Sequence, residues 1–454
     1  MTTPLSFSWA AIARLGLVQT ALGSVVVLMT STLNRVMVVE LALPAMVPGG
    51  LVALHYAVQI LRPRWGYGSD VGGRRTPWIV GGMAALTLGG FLAALATAVM
   101  ETHPAAGLAL AVVAFLGVGM GAGAAGTSLL VLLATGVDAR RRGAAATLVW
   151  IMMIAGFAIT APLAGHFLDP FSGLRLVAVS GTVSLIAFCV ALVAVRGIEP
   201  TRAAPSPDDR SERKPFLEVL ARVWSEPASR RFTVFLFVAM LAYSAQELIL
   251  EPFAGLVFAM TPGTTTKLSG LQHGGVLAGM LLVAGTTMGI GGPVLGSLKG
   301  WTVLGCLGSA VALLSIAAGG VVGQDFPLRA AVFTLGLFNG IFAVAAIGSM
   351  MGLAGAGGEA ERGTRMGVWG AAQGVAFGVG GFLGTVAVDL ARLVTPEVVH
   401  AYAAVFTAEA ALFVVGAALA LRIAYAPPSR IRIAPRRTSL RSEPGLSDPS
   451  LSAR

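Results

Sequence analysis

Hydrophobic residues in this chain come in twelve long runs, separated by short polar or glycine-rich stretches. The runs lie at about 14–33, 44–61, 77–100, 106–135, 144–168, 174–195, 232–259, 273–298, 301–322, 328–353, 366–388 and 401–424. An α-helix needs about 20 apolar residues to cross a bilayer, and most of the runs reach that length. The pattern predicts an all-α polytopic membrane protein, with twelve transmembrane helices in two pseudo-symmetric six-helix bundles. Residues 1–195 would form the first bundle and 232–424 the second. Between them, 196–231 is the longest interior polar segment. Its stretch Pro200–Lys214 is rich in Pro, Ser and charge, a composition that favours flexibility. In Pro215–Trp224, the residues Phe216, Leu217, Val219, Leu220, Val223 and Trp224 recur at helical spacing, which predicts an amphipathic helix flat on the membrane surface. The basic, Pro- and Ser-containing tail 425–454 is expected to be disordered.

The halves echo each other. Arg142-Gly143 opens the fifth run and Asp169 closes it; Arg362-Gly363 opens the eleventh and Asp389 closes it at the same spacing. Trp150 and Trp369 sit at nearly matching offsets. Duplicated halves are typical of transporter folds, whose binding region lies near the midplane between the repeats.

Composition sharpens the class. The chain is 56% hydrophobic and 11% charged, with mean hydropathy +0.82. Soluble domains carry about 25% charged residues. The net charge of +10 would draw nucleic acid if it were spread over one surface. It is not: of 31 Lys and Arg, only Arg35, Arg175, Lys267, Arg329 and Arg392 fall on one side of the expected topology. The other 26 mark the inner side, so both termini are expected in the cytoplasm. The basic linker and tail can also attract anionic lipid. Cys189 and Cys306 both fall inside apolar runs, which argues against a disulfide or a metal site. The first run is long enough to stay as a span, and no cleavable secretory signal is evident.

Polar residues inside the runs are the candidates for chemistry. Glu247 and Glu251 are four apart, so both carboxylates should share one face of helix 7, beside Gln246. Pro252 removes a backbone donor next to them and predicts a kink. Carboxylates within a membrane cost a few kcal/mol each, so they face a cavity or pair with a cation. Arg35, expected with Asn34 and Glu40 in a tight outer turn after helix 1, is one partner, and Lys267 another. An Arg35–Glu40 ion pair is also possible by spacing. In helix 2, His55 and Gln59 share a face, and a neutral imidazole there can ligate a metal, including a chlorophyll magnesium. His103 and His400 belong to outer loops; His166 and His273 fall near the outer ends of helices 5 and 8. Glycines at 117/121 and 119/123, and at 370/374/378, form faces for close helix approach. No HExxH, P-loop or nucleotide fingerprint occurs, so no catalytic residue and no metal centre is expected.

The turn Gly66-Tyr67-Gly68-Ser69-Asp70-Val71-Gly72-Gly73-Arg74-Arg75 separates the second and third runs. It resembles the helix 2–3 loop of the major facilitator superfamily, G-x-x-x-D-(R/K)-x-G-R-(R/K). Gly66, Asp70, Gly73, Arg74 and Arg75 match; Val71 departs. In that family the turn is a cytoplasmic gating latch. By residue chemistry, Asp70 can cap the following helix or pair with Arg74 or Arg75. Three further stretches, Thr32–Leu41, His55–Arg64 and Gln246–Phe253, resemble the PucC/LhaA family, the bacteriochlorophyll-delivery branch of the superfamily. That resemblance implies an accessory protein of the inner (intracytoplasmic) membrane of phototrophic bacteria. It would handle bacteriochlorophyll or a precursor as its bound pigment, with light-harvesting polypeptides or pigment-biosynthesis enzymes as partners. The rival expectation is a proton-coupled transporter of a small solute that uses Glu247 or Glu251.

Overall fold

A computed structural model describes residues 7–61, 74–138, 141–199, 224–286, 297–356 and 359–422. Gly66, Asp70, Gly73, the Pro215–Trp224 helix except Trp224, and the tail lie outside them. Among the described residues, twelve helices run in chain order: α1 Trp9–Glu40, α2 Met46–Val58, α3 Thr76–Met100, α4 Pro104–Gly136, α5 Arg142–Leu168, α6 Gly173–Val195, α7 Pro227–Phe258, α8 Pro262–Gly285, α9 Leu298–Val322, α10 Leu328–Ala356, α11 Glu359–Val394 and α12 Val398–Leu421. Among the described residues, eleven are long and apolar enough to cross a membrane; α2 is shorter and continues into a tight turn, Gln59–Leu61.

Two differences in helix boundaries from the sequence reading bear on the site. α1 does not stop at Leu33. It continues to Glu40 through two wide turns, Leu28–Leu33 and Val36–Glu40, and the amide of Leu41 reaches back five residues to the Val36 carbonyl at 3.1 Å. Arg35 therefore lies inside a helix and is 2% exposed, not in an outer turn. α8 begins at Pro262, well before residue 273. Its first turns are threonine-rich and hide the helix from a hydropathy reading. The hydroxyls are answered locally: Thr261 caps the Thr264 amide at 3.3 Å, and Thr265 and Thr266 donate to the Pro262 carbonyl. His273 consequently sits near the middle of α8 rather than at its outer end.

Each half has its own core. One cluster joins Ile12, Leu15, Met83, Phe115 and Val149 from the first six helices. The other joins Phe232, Phe235, Phe342, Phe406 and Phe413 from the last six. The halves meet along α5–α8 and α2–α11, with α1 laid against α7 and α8. Glycine sets how closely helices approach. Added Cβ atoms on Gly336 and Gly340 of α10 would overlap the Gln272 and Val276 carbonyls of α8, and those on Gly275 and Gly279 would overlap Phe333 and Leu337 carbonyls. Gly121 meets the Leu86 backbone and Gly119 the His55 carbonyl in the same way. On α11 the close approach to α7 uses Gly380, Gly381 and Gly384; Gly378 meets Tyr56 of α2, whereas Gly374 has open space beside it.

The repeat seen in the sequence has a structural meaning. Asp169, just past α5, accepts from the Thr261 hydroxyl at 2.8 Å and the Gly263 amide at 3.1 Å, at the start of α8. Asp389, near the end of α11, accepts from the Ala45 and Met46 amides at 3.0 and 2.7 Å, at the start of α2. Each aspartate thus satisfies orphan amides of a helix in the opposite half, where the helix dipole also favours negative charge.

Candidate functional site

The site is organised around Pro252. Proline has no N–H, so the carbonyl four residues earlier, on Leu248, loses its helical partner. In lipid an unmet carbonyl is costly. Asn34 of α1 supplies the missing donor, with Nδ2 2.6 Å from the Leu248 oxygen. α7 runs through Pro252 without interruption. The proline in one half and the asparagine in the other are therefore two parts of one junction.

One residue on, Arg35 pairs with Glu40 and donates to the Met260 carbonyl at 2.7 Å. Gly255 makes room for it, because a Cβ there would lie 3.1 Å from the guanidinium. Glu251 is buried beside Arg35, with Ser31, Thr265 and Ser269 around it. These hydroxyls do not close on the carboxylate: neither Glu251 oxygen has a hydrogen-bond partner, and the Ser31 hydroxyl and Arg35 Nε are also unmet. Nearby, Thr32 and Thr266 hydroxyls meet at 3.0 Å across the halves. A carboxylate, a hydroxyl and a guanidinium nitrogen left unpaired in one buried place form a polar receptor suited to ordered water or the polar edge of a ligand.

Glu247, one turn earlier on α7, is half-buried and stands with Tyr243 and Tyr56. Phe377 of α11 joins the two tyrosines, with ring centroids 5.8 Å from Tyr56 and 5.6 Å from Tyr243. Gln246 is fully buried, and neither amide atom is hydrogen-bonded. His55 and Gln59 are brought together, Nε2 to Nε2 at 2.9 Å, but His55 packs on α4 within the first bundle rather than beside Glu251. Lys267 contacts Gly165 at the α5–α8 seam. The structure thus joins Arg35, Glu40 and Glu251, and leaves Glu247, Gln246 and His55–Gln59 in separate neighbourhoods.

At the other end of the bundle, Arg74 and Arg75 precede α3. The acid that caps α3 comes from Glu199, just after α6. Its carboxylate accepts from the Arg75 amide at 2.7 Å, the Thr76 amide at 2.8 Å and the Thr76 hydroxyl at 2.8 Å. Partial burial raises the Glu199 pKa, but these hydrogen bonds and the Arg75 charge outweigh it, leaving the group below its ordinary value near 4.5. A carboxylate with a depressed folded-state pKa contributes stability above its unfolded pKa, lost as pH falls through the folded one. Thermal unfolding in detergent should therefore show a contribution that fades as pH falls below about 4.5 and is absent in Glu199→Gln. Parallel pH profiles for the two proteins would rule out this cap.

Several contributors carried no legible signal of their role. Asp169 and Asp389 were visible as an echo only. Glu199 sits at the edge of a charged segment like any solvated acid. Glu409 of α12 is 3% exposed with both oxygens unpaired, and a lone acid inside an apolar run was its available sign. Gln19, whose Nε2 reaches Met153 Sδ at 3.2 Å, was equally inconspicuous.

Comparison with known proteins bears on this arrangement. The family model described as PUCC protein matches residues 32–427. Bacteriochlorophyll synthase 44.5 kDa chain of Rhodobacter capsulatus is 54% identical over 416 residues, covering 92% of this chain and 96% of that protein. Protein PucC of Rhodobacter capsulatus is 28% identical, covering 90% and 91%. Among solved structures, a POT peptide transporter superposes with TM-score 0.66 at 14% identity, covering 92% of this chain and 96% of that one. A POT family transporter with a bound peptide conjugate gives 0.68 at 14% identity, covering 90% and 95%. These last two, at 14% identity, concern the fold alone.

Proposed function

The chain belongs to the PucC family, and from that membership we propose that it is a membrane accessory protein that handles a bacteriochlorophyll-type pigment during assembly of light-harvesting complexes. The observation that carries this reading is the 54% identity, over nearly the whole chain, to a protein named for bacteriochlorophyll synthesis. Its partners would be antenna polypeptides or pigment-making enzymes within the inner membrane, with both termini in the cytoplasm. The physical fit is straightforward. A chlorophyll-type ring is broad, flat and oily, and suits an apolar seam between helices with a few polar groups. The α5–α8 seam supplies Ile154, Val276 and Met280, with Ala343 of α10 and Trp150, Ile151 and Met153 packed beside them. The unpaired atoms around Glu251 supply the polar end.

Gentle purification from a phototrophic host tests the reading. The protein should emerge with a pigment absorption spectrum, or with antenna or biosynthetic polypeptides attached. A colourless preparation without such partners would remove its support. The POT-like fold together with the acids of α7 favours one second reading, proton-coupled transport of a small solute. Uptake into proteoliposomes driven by a pH gradient and abolished by Glu247→Gln would establish it in place of the first.

A further inference from the structure

Independently of any pigment, we infer that the groove between the start of α3 and the end of α6 seats an anionic phospholipid, with its headgroup phosphate on Arg74 and Arg196 and an acyl chain along α6. The way α6 ends creates this groove. Arg196 caps the helix but leaves it with ψ 121°, and Gly197 follows at φ +66°, a left-handed conformation that glycine adopts without steric cost. The turn carries Glu199 onto the first amides of α3. Between the two helix ends lies a groove of about 270 Å³, room for a glycerophosphate headgroup.

Positive charge in the groove is left uncompensated. Arg74 and Arg196 line it, and both are exposed. Among the described residues, no hydrogen bond or ion pair takes up either guanidinium. Glu199 is the one acid in the lining, and its oxygens are committed to the Arg75 and Thr76 amides and the Thr76 hydroxyl. Those amides are spent on Glu199 and take no part in holding an anion. Arg14 of α1 brings a third charge, since it donates to the Val193 and Arg196 carbonyls at the end of α6. A guanidinium presents a planar fork of donors that matches phosphate oxygens, and it gives up water more readily than an ammonium does. Two unpaired guanidiniums in one groove therefore call for a phosphate-type anion.

The rest of the lining selects a lipid over a soluble phosphate. Val80 of α3 and Leu192 and Val195 of α6 form an apolar wall. Leu192 is exposed, and so are Cys189 and Leu185, one and two turns back on the same face of α6. Farther along, Gly181 lies against Phe91 of α3, where an added Cβ would come 3.1 Å from the ring. An apolar strip thus leads away from the arginines between the two helices. A free phosphate gains nothing from it, whereas a phospholipid lays methylenes along it. Basic pockets between membrane helices hold anionic headgroups in this way.

Native mass spectrometry tests the seat, on the full chain released from nanodiscs of equal phosphatidylglycerol and phosphatidylcholine with matched chains. Wild type should retain phosphatidylglycerol over phosphatidylcholine by at least ~5-fold, the effect of about one arginine near an anionic lipid. Arg74→Gln/Arg196→Gln should remove the preference. Arg329→Gln, at an exposed arginine at the start of α10, should leave it unchanged. If the double variant is not monodisperse, Arg196→Gln alone should still lose at least half of the preference. Equal retention of the two lipids by wild type, or a preference that survives in the folded double variant, overturns the assignment. A preference that appears only in Asp208→Asn/Asp209→Asn also overturns it, because the chain's own linker would then hold the groove in place of lipid.

Discussion

Gly336→Leu or Gly340→Leu should yield no folded protein, and Gly336→Ala should lower stability by about 3 kcal/mol, the upper part of the usual overpacking cost. At both positions a Cβ runs into a carbonyl of α8, and backbone cannot swing aside as a side-chain end can. The facing helix is equally constrained at Gly275 and Gly279, so neither partner can retreat. The neighbouring Gly274→Ala is the internal control. Nothing lies within 4 Å of its added Cβ, and alanine favours a helix over glycine by about 1 kcal/mol. Thermal unfolding of detergent-solubilised protein, followed by the fluorescence of its 7 tryptophans, gives the comparison. If Gly336→Ala and Gly274→Ala melt alike, the α8–α10 seam is not as close as the structure has it.

Arg35→Leu should be the most damaging single change at the junction of the halves. It strips Glu40 of its partner, leaves the Met260 carbonyl without its donor, and removes the guanidinium beside Glu251. Breaking a buried charge pair costs about 3–5 kcal/mol. Glu40 is 36% exposed, so the lower end applies. A second change then has a definite sign. Glu251→Gln in the Arg35→Leu background should recover part of the loss, because an amide does not need the cation. Two losses that simply add would show that Arg35 and Glu251 do not sense each other, and that the receptor described around Glu251 is not a unit.

Both expectations depend on features that differ in how far the sequence reveals them. The spans were legible because a membrane helix must satisfy its own backbone and present apolar side chains over about 20 residues. This property is local, and run lengths report it directly. α8 escaped for the converse reason: threonine hydroxyls bonded to their own helix are harmless in lipid, yet they read as polar. The equal spacing of Arg142–Asp169 and Arg362–Asp389 was legible as a repeat. That each aspartate caps a helix of the other half was not, since it depends on α5 lying on α8 and α2 on α11.

Pro252 marks the division within the site. From the sequence, its missing N–H and the two acids beside it follow at once. That Asn34, more than two hundred positions earlier, answers the freed Leu248 carbonyl is decided by the packing of α1 against α7. The same packing buries Arg35 next to Glu251, while the rotation of α2 turns His55 toward α4. The sequence by itself determined that the chain is a bundle of long apolar helices and which polar groups had to be met inside them. Only the tertiary structure decided who meets them, because hydrogen bonds between remote helices depend on rotation and depth, and neither leaves a trace in local periodicity.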